Sequence, residues 1–391
     1  MRDGIRMRRL LSLALLLVMC GGMSAAAKPP FEETDFRAIA GWADVDHEAA
    51  LATFKRSCAE IEATGHAFQR KVAYGGTRRD WLAVCQGLKT VADARRFFEQ
   101  AFTPLIVRDA ERPQGLFTGY YEPEAEGSLK PGGAYKVPIY ARPADFVGFD
   151  AKTAKRLGLA YGRTVDGKPQ AYYTRREIEN GALEGRGLEL VWLKDWADAF
   201  FIQVQGSGRV RLPDGQVIRL GFAAKTGLPY TAIGGLLLQR GILTREDVSM
   251  QAIRAWMRQN PKDARELMWE NKSFVFFREI RGGDSDLGPP GAQKVPLTPF
   301  HSLAVDRSLW MFGTPVWLDT QAPKGERGTL VPFRNLLVAQ DTGTAIKGHA
   351  RGDVFWGAGE EAALTAGHMK SPGLMIVLLP KALAQRLLSR Q

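Results

Sequence analysis

A chain of 391 residues with 45% hydrophobic and 24% charged side chains is too long for one ordinary core and too apolar to be disordered, so about two folded domains are expected. Its formal charge of +11 favours a polyanionic partner, while five scattered histidines and three cysteines leave no cluster with zinc-ligand spacing. Forty-two glycines, many in polar spacers between apolar runs, point to a strand-rich, turn-rich protein that is mainly β with some α.

At the N-terminus, Arg2, Arg6, Arg8 and Arg9 precede a short apolar run from Leu10 to Met19, and Ala25-Ala26-Ala27 offers a small-residue cleavage site before Lys28. The run is too short for a permanent membrane helix, and no later segment is apolar enough for one. Residues 1–27 therefore read as a signal peptide, and the mature protein as an exported, periplasmic one. Cys20 loosely fits a lipoprotein cleavage site, although Met19 is not the small residue such sites carry. Outer-membrane attachment through a lipid on Cys20 is the alternative to release in soluble form. Cleavage leaves the chain basic, which suits an anionic membrane or an acidic wall polymer, and export makes nucleic acid the least suitable partner. Cys58 and Cys85 are candidates for one disulfide in an oxidising compartment; two buried free thiols are the alternative.

Apolar periodicity predicts helices over Asp46 to Thr64 and Val91 to Phe102. From Gly115 the pattern changes to strand and turn. Leu188–Leu193, Phe200–Gln205, Val210–Leu212 and Val217–Leu220 read as strands, with Pro213-Asp214-Gly215 as a hairpin turn. Helices follow from Pro229 to Leu238, from an N-cap at Thr244 to just before Pro261, and from Asp263 to Glu270. Phe274–Phe277, Pro315–Leu318, Leu330–Ala339 and Leu374–Leu379 read as strands, and Gly283 to Gly291 as a loop. Glu360 to Met369 reads as a helix ended by a Ser371-Pro372-Gly373 turn.

The stretch from Val338 to Gly357 places Asp341 and Asp353 among glycines and aromatics. Asp353 precedes Val354, Phe355 and Trp356, and a carboxylate against such a surface loses solvation, so its pKa should rise. A raised carboxyl pKa is what a general acid for a glycosidic oxygen needs. The competing reading is that Asp353 caps a turn or pairs with Arg351. Asp341-Thr342-Gly343 also has the form of an aspartic-protease triplet. That chemistry needs two such carboxylates, and Asp284-Ser285-Asp286 lacks the glycine, so a protease would have to be a homodimer of unusually long chains.

Several separated runs together resemble the membrane-bound lytic murein transglycosylase A family. They are Phe117-Thr-Gly-Tyr-Tyr-Glu-Pro123, Ile202-Gln-Val-Gln-Gly-Ser-Gly208, Ser249-Met-Gln-Ala-Ile253, Ser273-Phe-Val-Phe-Phe277, Ala304-Val-Asp-Arg-Ser308, Asp341-Thr-Gly-Thr-Ala-Ile-Lys-Gly348 and Gly352-Asp-Val-Phe-Trp356. The resemblance covers about Gly115 to Pro380. Thr344 stands where the family often has a second glycine, and Met19 departs from the lipid-anchor pattern.

The resemblance implies a double-psi β-barrel formed by residues 28–122 and 278–391, with a β-rich domain of residues 123–277 inserted into it and the glycan in a groove between them. Asp353 matches the family's catalytic aspartate, and Asp341 and Asp306 its supporting ones. Tyr120, Tyr121, Glu122, Gln203, Gln205, Gly206, Ser207, Gly208, Lys347 and Trp356 are candidate sugar contacts, although the tyrosines and Trp356 fit core packing equally well and Lys347 a solvated loop. The implied reaction cuts peptidoglycan between N-acetylmuramic acid and N-acetylglucosamine, with a 1,6-anhydro product and no metal or organic cofactor. A non-catalytic wall-binding protein and a water-using muramidase are the alternatives. Other wall-remodelling proteins are candidate partners.

Overall fold

A computed structural model describes residues 30–88, 91–108, 114–282, 284 and 286–389. Residues 1–27, expected to be a signal peptide, and with them Cys20, lie outside the described residues.

Alternating side chains build the larger unit. In the strands Pro315–Lys324, Thr329–Asp341 and Lys370–Pro380, one set of residues points into a common interior: Val316 and Leu318, Leu337 and Ala339, Met375, Val377 and Leu379. The intervening set, Trp317, Leu336, Val338, Ile376 and Leu378, packs outward under the N-terminal helices with Trp42, Phe54, Trp81 and Phe98. Both faces are buried, so these strands read as continuous apolar runs rather than as clean alternation.

The strands close on themselves. Lys370–Pro380, Pro315–Lys324, Thr329–Asp341, Ser302–Val305, Arg351–Ala358 and Gly115–Glu122 are neighbours in that order, and Gly115–Glu122 pairs back to Lys370–Pro380. Two of the pairings are parallel and the others antiparallel. This is the double-psi β-barrel, and the short strands Phe31–Glu33 and Phe102–Val107 extend it outward from Lys370–Pro380. The helices His47–Ala63 and Arg78–Gly87 cover the outer face and are joined by a Cys58–Cys85 disulfide.

The chain leaves the barrel at Pro123 and enters a second β unit. Its six-stranded sheet runs Val275–Ile280, Val217–Lys225, Ser207–Arg211, Glu124–Ser128, Glu189–Leu193, Val137–Tyr140. A bridge between Ala141 and Phe277 brings the two edges together. Val191, Leu193, Ile202, Val210, Leu220 and Phe277 fill its core. The chain re-enters the barrel with the strand Ser302–Val305.

Several elements differ from the sequence expectation. Phe200–Gln205 is not a strand but the end of a helix, Trp196–Gln205, capped by Asp195, which accepts from the Ala197 amide at 2.6 Å. Phe200, Phe201, Ile202 and Gln203 are all buried, so no polar stripe betrays the helical period. Thr244 and Asp247 do bond each other, but they form a local turn; the helix Met250–Gln259 starts at Ser249, whose hydroxyl accepts from the Ala252 amide. Ser371-Pro372-Gly373 lies inside the strand Lys370–Pro380, paired with Gly115–Phe117. The helices expected at Val91 and Pro229 begin later, as Ala94–Ala101 and Ile233–Gln239.

Candidate active site

Strand register brings the key side chains together. Asp353 pairs with Thr118 on one side and with Ala304 on the other, and Ala304 in turn pairs with Asp341. Thr118, Asp353, Ala304 and Asp341 therefore form one row across four neighbouring strands. Val354 and Trp356 point into the barrel core, so Asp353 and Phe355 share the opposite face. Tyr120 pairs with Phe355 in register, and their ring centroids lie 5.2 Å apart.

Asp353 is half-buried. Loss of solvation pushes its carboxyl above the usual aspartate range, against opposing pulls from the Arg351 charge and the Thr118 hydrogen bond. Thr118 Oγ1 donates to Asp353 Oδ1 at 2.5 Å. Asp341 is also pushed up, by burial first and by the Asp353 charge in addition. It is better supplied with donors: the amides of Ala292 and Thr342 each reach Oδ1 at 2.9 Å, and the Tyr120 hydroxyl reaches Oδ2 at 3.0 Å. Asp341 thus has three donors for its anion and Asp353 one, and the two carboxyls titrate as a coupled pair. The Tyr120 phenol is raised well above its ordinary value, by burial and by both carboxylates, so it remains a donor.

Asp306 stands apart from this pair. Its carboxylate accepts from the Ser308 amide and hydroxyl, the Gly348 amide, and Lys347 Nζ at 3.4 Å. Burial raises its pKa, but these donors outweigh burial and hold it below the usual range. Asp306 thus ties the turn after the Ser302–Val305 strand to the loop joining Asp341 and Asp353. Opposite that loop, Lys225 of the inserted unit donates to Thr344 Oγ1 at 2.7 Å.

The other expected contacts are placed differently. Tyr121 is 5% exposed and belongs to the barrel core. Glu122 is fully buried, with its carboxylate between Arg209 and Arg219 at 2.8 and 2.9 Å. Gln203 is buried and accepts from Arg175, and Gln205 accepts from the Tyr121 amide. Gly206 ends the Trp196–Gln205 helix in a left-handed conformation at φ +80°. At Gly208 a Cβ would come within 2.8 Å of Ile202, so the glycine serves close helix–strand packing; Ser207 beside it is buried. Trp356 is packed between Phe300 and Phe333. Lys347 is exposed. Of these candidates, the structure gathers only Tyr120 onto the aspartate pair. Thr118, Ala292 and Lys225 are additions; Thr118 alone lay inside a recognised run, and nothing in the sequence marked the other two. Among the described residues no group of three or more His, Cys, Asp or Glu side chains could hold a metal ion, and no helix is long and apolar enough to cross a membrane.

Fold and site together define a protein of the three-aspartate class, and residues 301–379 match the 3D domain model. Residues 116–278 match the MltA specific insert domain. The chain belongs to the membrane-bound lytic murein transglycosylase A family. It is similar to membrane-bound lytic murein transglycosylase A of Escherichia coli K12, with 32% identity over 310 residues, covering 78% of this chain and 77% of that one. The Vibrio cholerae relative is 35% identical over 262 residues, covering 66% of this chain and 63% of its own length, so this match leaves more than a third of that protein unmatched. Among solved structures, the membrane-bound lytic murein transglycosylase from Agrobacterium tumefaciens superposes with a TM-score of 0.81 at 35% identity, covering 91% of this chain and 99% of that one. E. coli MltA with bound chitohexaose superposes at 0.65 and 27% identity, covering 90% and 94%.

Proposed function

We propose that this protein is a peptidoglycan lytic transglycosylase that cleaves the β-1,4 bond between N-acetylmuramic acid and N-acetylglucosamine, with Asp353 as its acid and then its base. The half-dry Asp353 carboxyl beside an anion-favouring Asp341 carries this reading. The Asp353 O–H gives its proton to the glycosidic oxygen. The bond from the muramoyl C1 to that oxygen breaks, and its electron pair stays on the departing N-acetylglucosamine O4. The muramoyl C6 hydroxyl oxygen attacks C1 and closes the 1,6-anhydro ring, and its proton returns to Asp353. Because the nucleophile is tethered to the sugar, effective molarity replaces a second activated group.

A water-using muramidase would need Asp341 as its second working carboxylate. The orientation of Asp341 argues against that role, because both of its oxygens are engaged by the protein. Chitohexaose bound to the E. coli relative supports a β-1,4-linked N-acetylhexosamine chain as ligand. In this reading residues 123–277 form the second wall of the glycan groove and Asp306 and Asp341 support the acid. Residues 1–27 direct export to the periplasm, with a lipid on Cys20 as the route to outer-membrane attachment; the mass of the mature N-terminus distinguishes the two.

The test is Asp353→Asn on purified peptidoglycan. Loss of cleavage with glycan binding retained is expected, and unchanged cleavage would refute the acid role. Mass spectrometry of the wild-type digest should give products one water lighter than reducing ends; reducing ends alone would make the enzyme a hydrolase.

A further inference from the structure

We propose that Thr118 is a positioning residue for Asp353 and that Arg351 sets the direction of its hydroxyl. The inference rests on the acid role proposed above for Asp353. Thr118 Oγ1 lies between two groups: Arg351 Nη2 donates to it at 2.8 Å, and Asp353 Oδ1 is 2.5 Å away. A hydroxyl has one proton and two lone pairs, whereas a guanidinium nitrogen only donates. The Arg351 contact therefore uses a lone pair, and the Thr118 proton is left for Asp353 Oδ1. The order of donation is fixed from Arg351 to Thr118 to Asp353.

Arg351 is itself held in place. It is buried, and Nη1 bonds the carbonyl oxygens of Gly352 and, at 3.4 Å, Leu116. Leu116 pairs with Arg351, and Thr118 with Asp353, in the same parallel ladder. One register thus positions every member of the relay, and a slip of one residue would turn Thr118 to the face opposite Asp353.

Two consequences follow for the chemistry. Oδ1 accepts from Thr118, so the carboxylic proton resides on Oδ2. Among the described residues, Oδ2 has no hydrogen-bond partner and is not one of the sealed, partnerless polar atoms. The transferable proton therefore sits on the oxygen left open to substrate. In addition, both Arg351 and Thr118 favour the ionised carboxyl and oppose the effect of burial. An acid that must release its proton in one half-reaction and recover it in the next needs a pKa near the working pH, and the relay limits how far burial raises it.

In the full chain, Thr118→Val keeps the side-chain shape and removes the hydroxyl. The expected result on peptidoglycan is a kcat about tenfold lower with KM little changed, since orientation is lost only in the transition state. The alkaline arm of the pH–rate profile should move to higher pH, because a group that stabilised the anion has gone. Thr118→Ser should restore both the rate and the arm. Arg351→Met should shift the arm in the same direction, and it supplies the readout if Thr118→Val does not fold. A merely structural role would lower the amount of active protein without moving the arm, and that result, or Ser behaving like Val, overturns the proposal. If Asp353→Asn stays active, the acid role itself fails; if Asp353→Asn is dead while Thr118→Val matches the wild type, only the relay is wrong.

Discussion

The Tyr120 hydroxyl donates to Asp341 Oδ2 at 3.0 Å, across two strands and 221 residues of sequence. With the amides of Ala292 and Thr342 on Oδ1, it completes a donor set that suits an anion. An anionic Asp341 favours the protonated form of Asp353. Replacing Asp341 by Asn keeps the shape and removes the charge. The Asp353 pKa should fall, and the alkaline arm of activity should move down with it. This is opposite in sign to the shift expected from Thr118→Val. A pH–rate profile of anhydro-product release checks it; an arm that stays in place would show that Asp341 does not carry the charge.

Glu122 illustrates a polar residue of a recognised run that serves the fold. Its carboxylate is fully buried between Arg209 and Arg219, and Arg219 also donates to the Leu287 carbonyl at 2.9 Å. This ion cluster sits where the Gly115–Glu122 strand leaves the barrel, so it ties the barrel strand to two strands of the inserted unit. Removing one member of a buried pair leaves an uncompensated charge and costs about 3–5 kcal/mol. Glu122→Ala should lower the midpoint of urea unfolding accordingly. In the fraction that remains folded, glycan affinity should be unchanged; a selective loss of affinity would restore Glu122 as a sugar contact.

What could be read in the sequence was local. Asp46 caps His47–Ala63 through the Ala49 amide at 2.9 Å, and Gly215 takes φ +86° in the turn where a glycine was required. The raised pKa of Asp353 was expected, although of the three apolar residues that follow it only Phe355 shares its face. The row joining Thr118, Asp353, Ala304 and Asp341 was not legible, because its steps are non-local strand registers, the longest of them the 235 residues between Thr118 and Asp353, and these leave no short-range trace. Glu122 was misassigned for the same reason, since its arginines lie 87 and 97 residues away. The Trp196–Gln205 helix failed differently: burial on all sides erased its period.

Asp306 should show itself in the pH dependence of stability. Its folded pKa is held below the ordinary value, so its ionised form stabilises the native state. That contribution is complete above the unfolded aspartate value of about 3.9 and is lost as pH falls through the lower folded value. Asp306→Ala should cost about 2 kcal/mol at neutral pH, because the Ser308 and Gly348 amides lose their acceptor. The difference from the wild type should shrink as the medium is acidified below about pH 4. Denaturant titrations at neutral and acidic pH check this. A difference that is constant with pH would mean that packing, not charge, is what Asp306 contributes.

Gly119 lies between the relay hydroxyl of Thr118 and the phenol of Tyr120, and its lack of a side chain is required by close approach. A Cβ there would come within 2.5 Å of Trp356 Nε1 and 2.9 Å of the Ala366 backbone. Trp356 is wedged against Phe300 and Phe333, and Ala366 belongs to the helix Glu360–His368 packed on the same strand. Neither can retreat without disturbing the core, so overpacking should cost about 1–3 kcal/mol. The strain falls on the segment that sets the register of Thr118 against Asp353, so Gly119→Ala should lower kcat as well as stability. Its pH–rate arm should move to higher pH, but less than that of Thr118→Val, because the Thr118 hydroxyl is retained and only displaced from Asp353. A lowered urea midpoint at unchanged m-value, with reduced kcat and this smaller shift of the arm, is the expected combination. An unchanged midpoint would show that Trp356 can swing clear, and that the glycine is not what holds the strand against the helix.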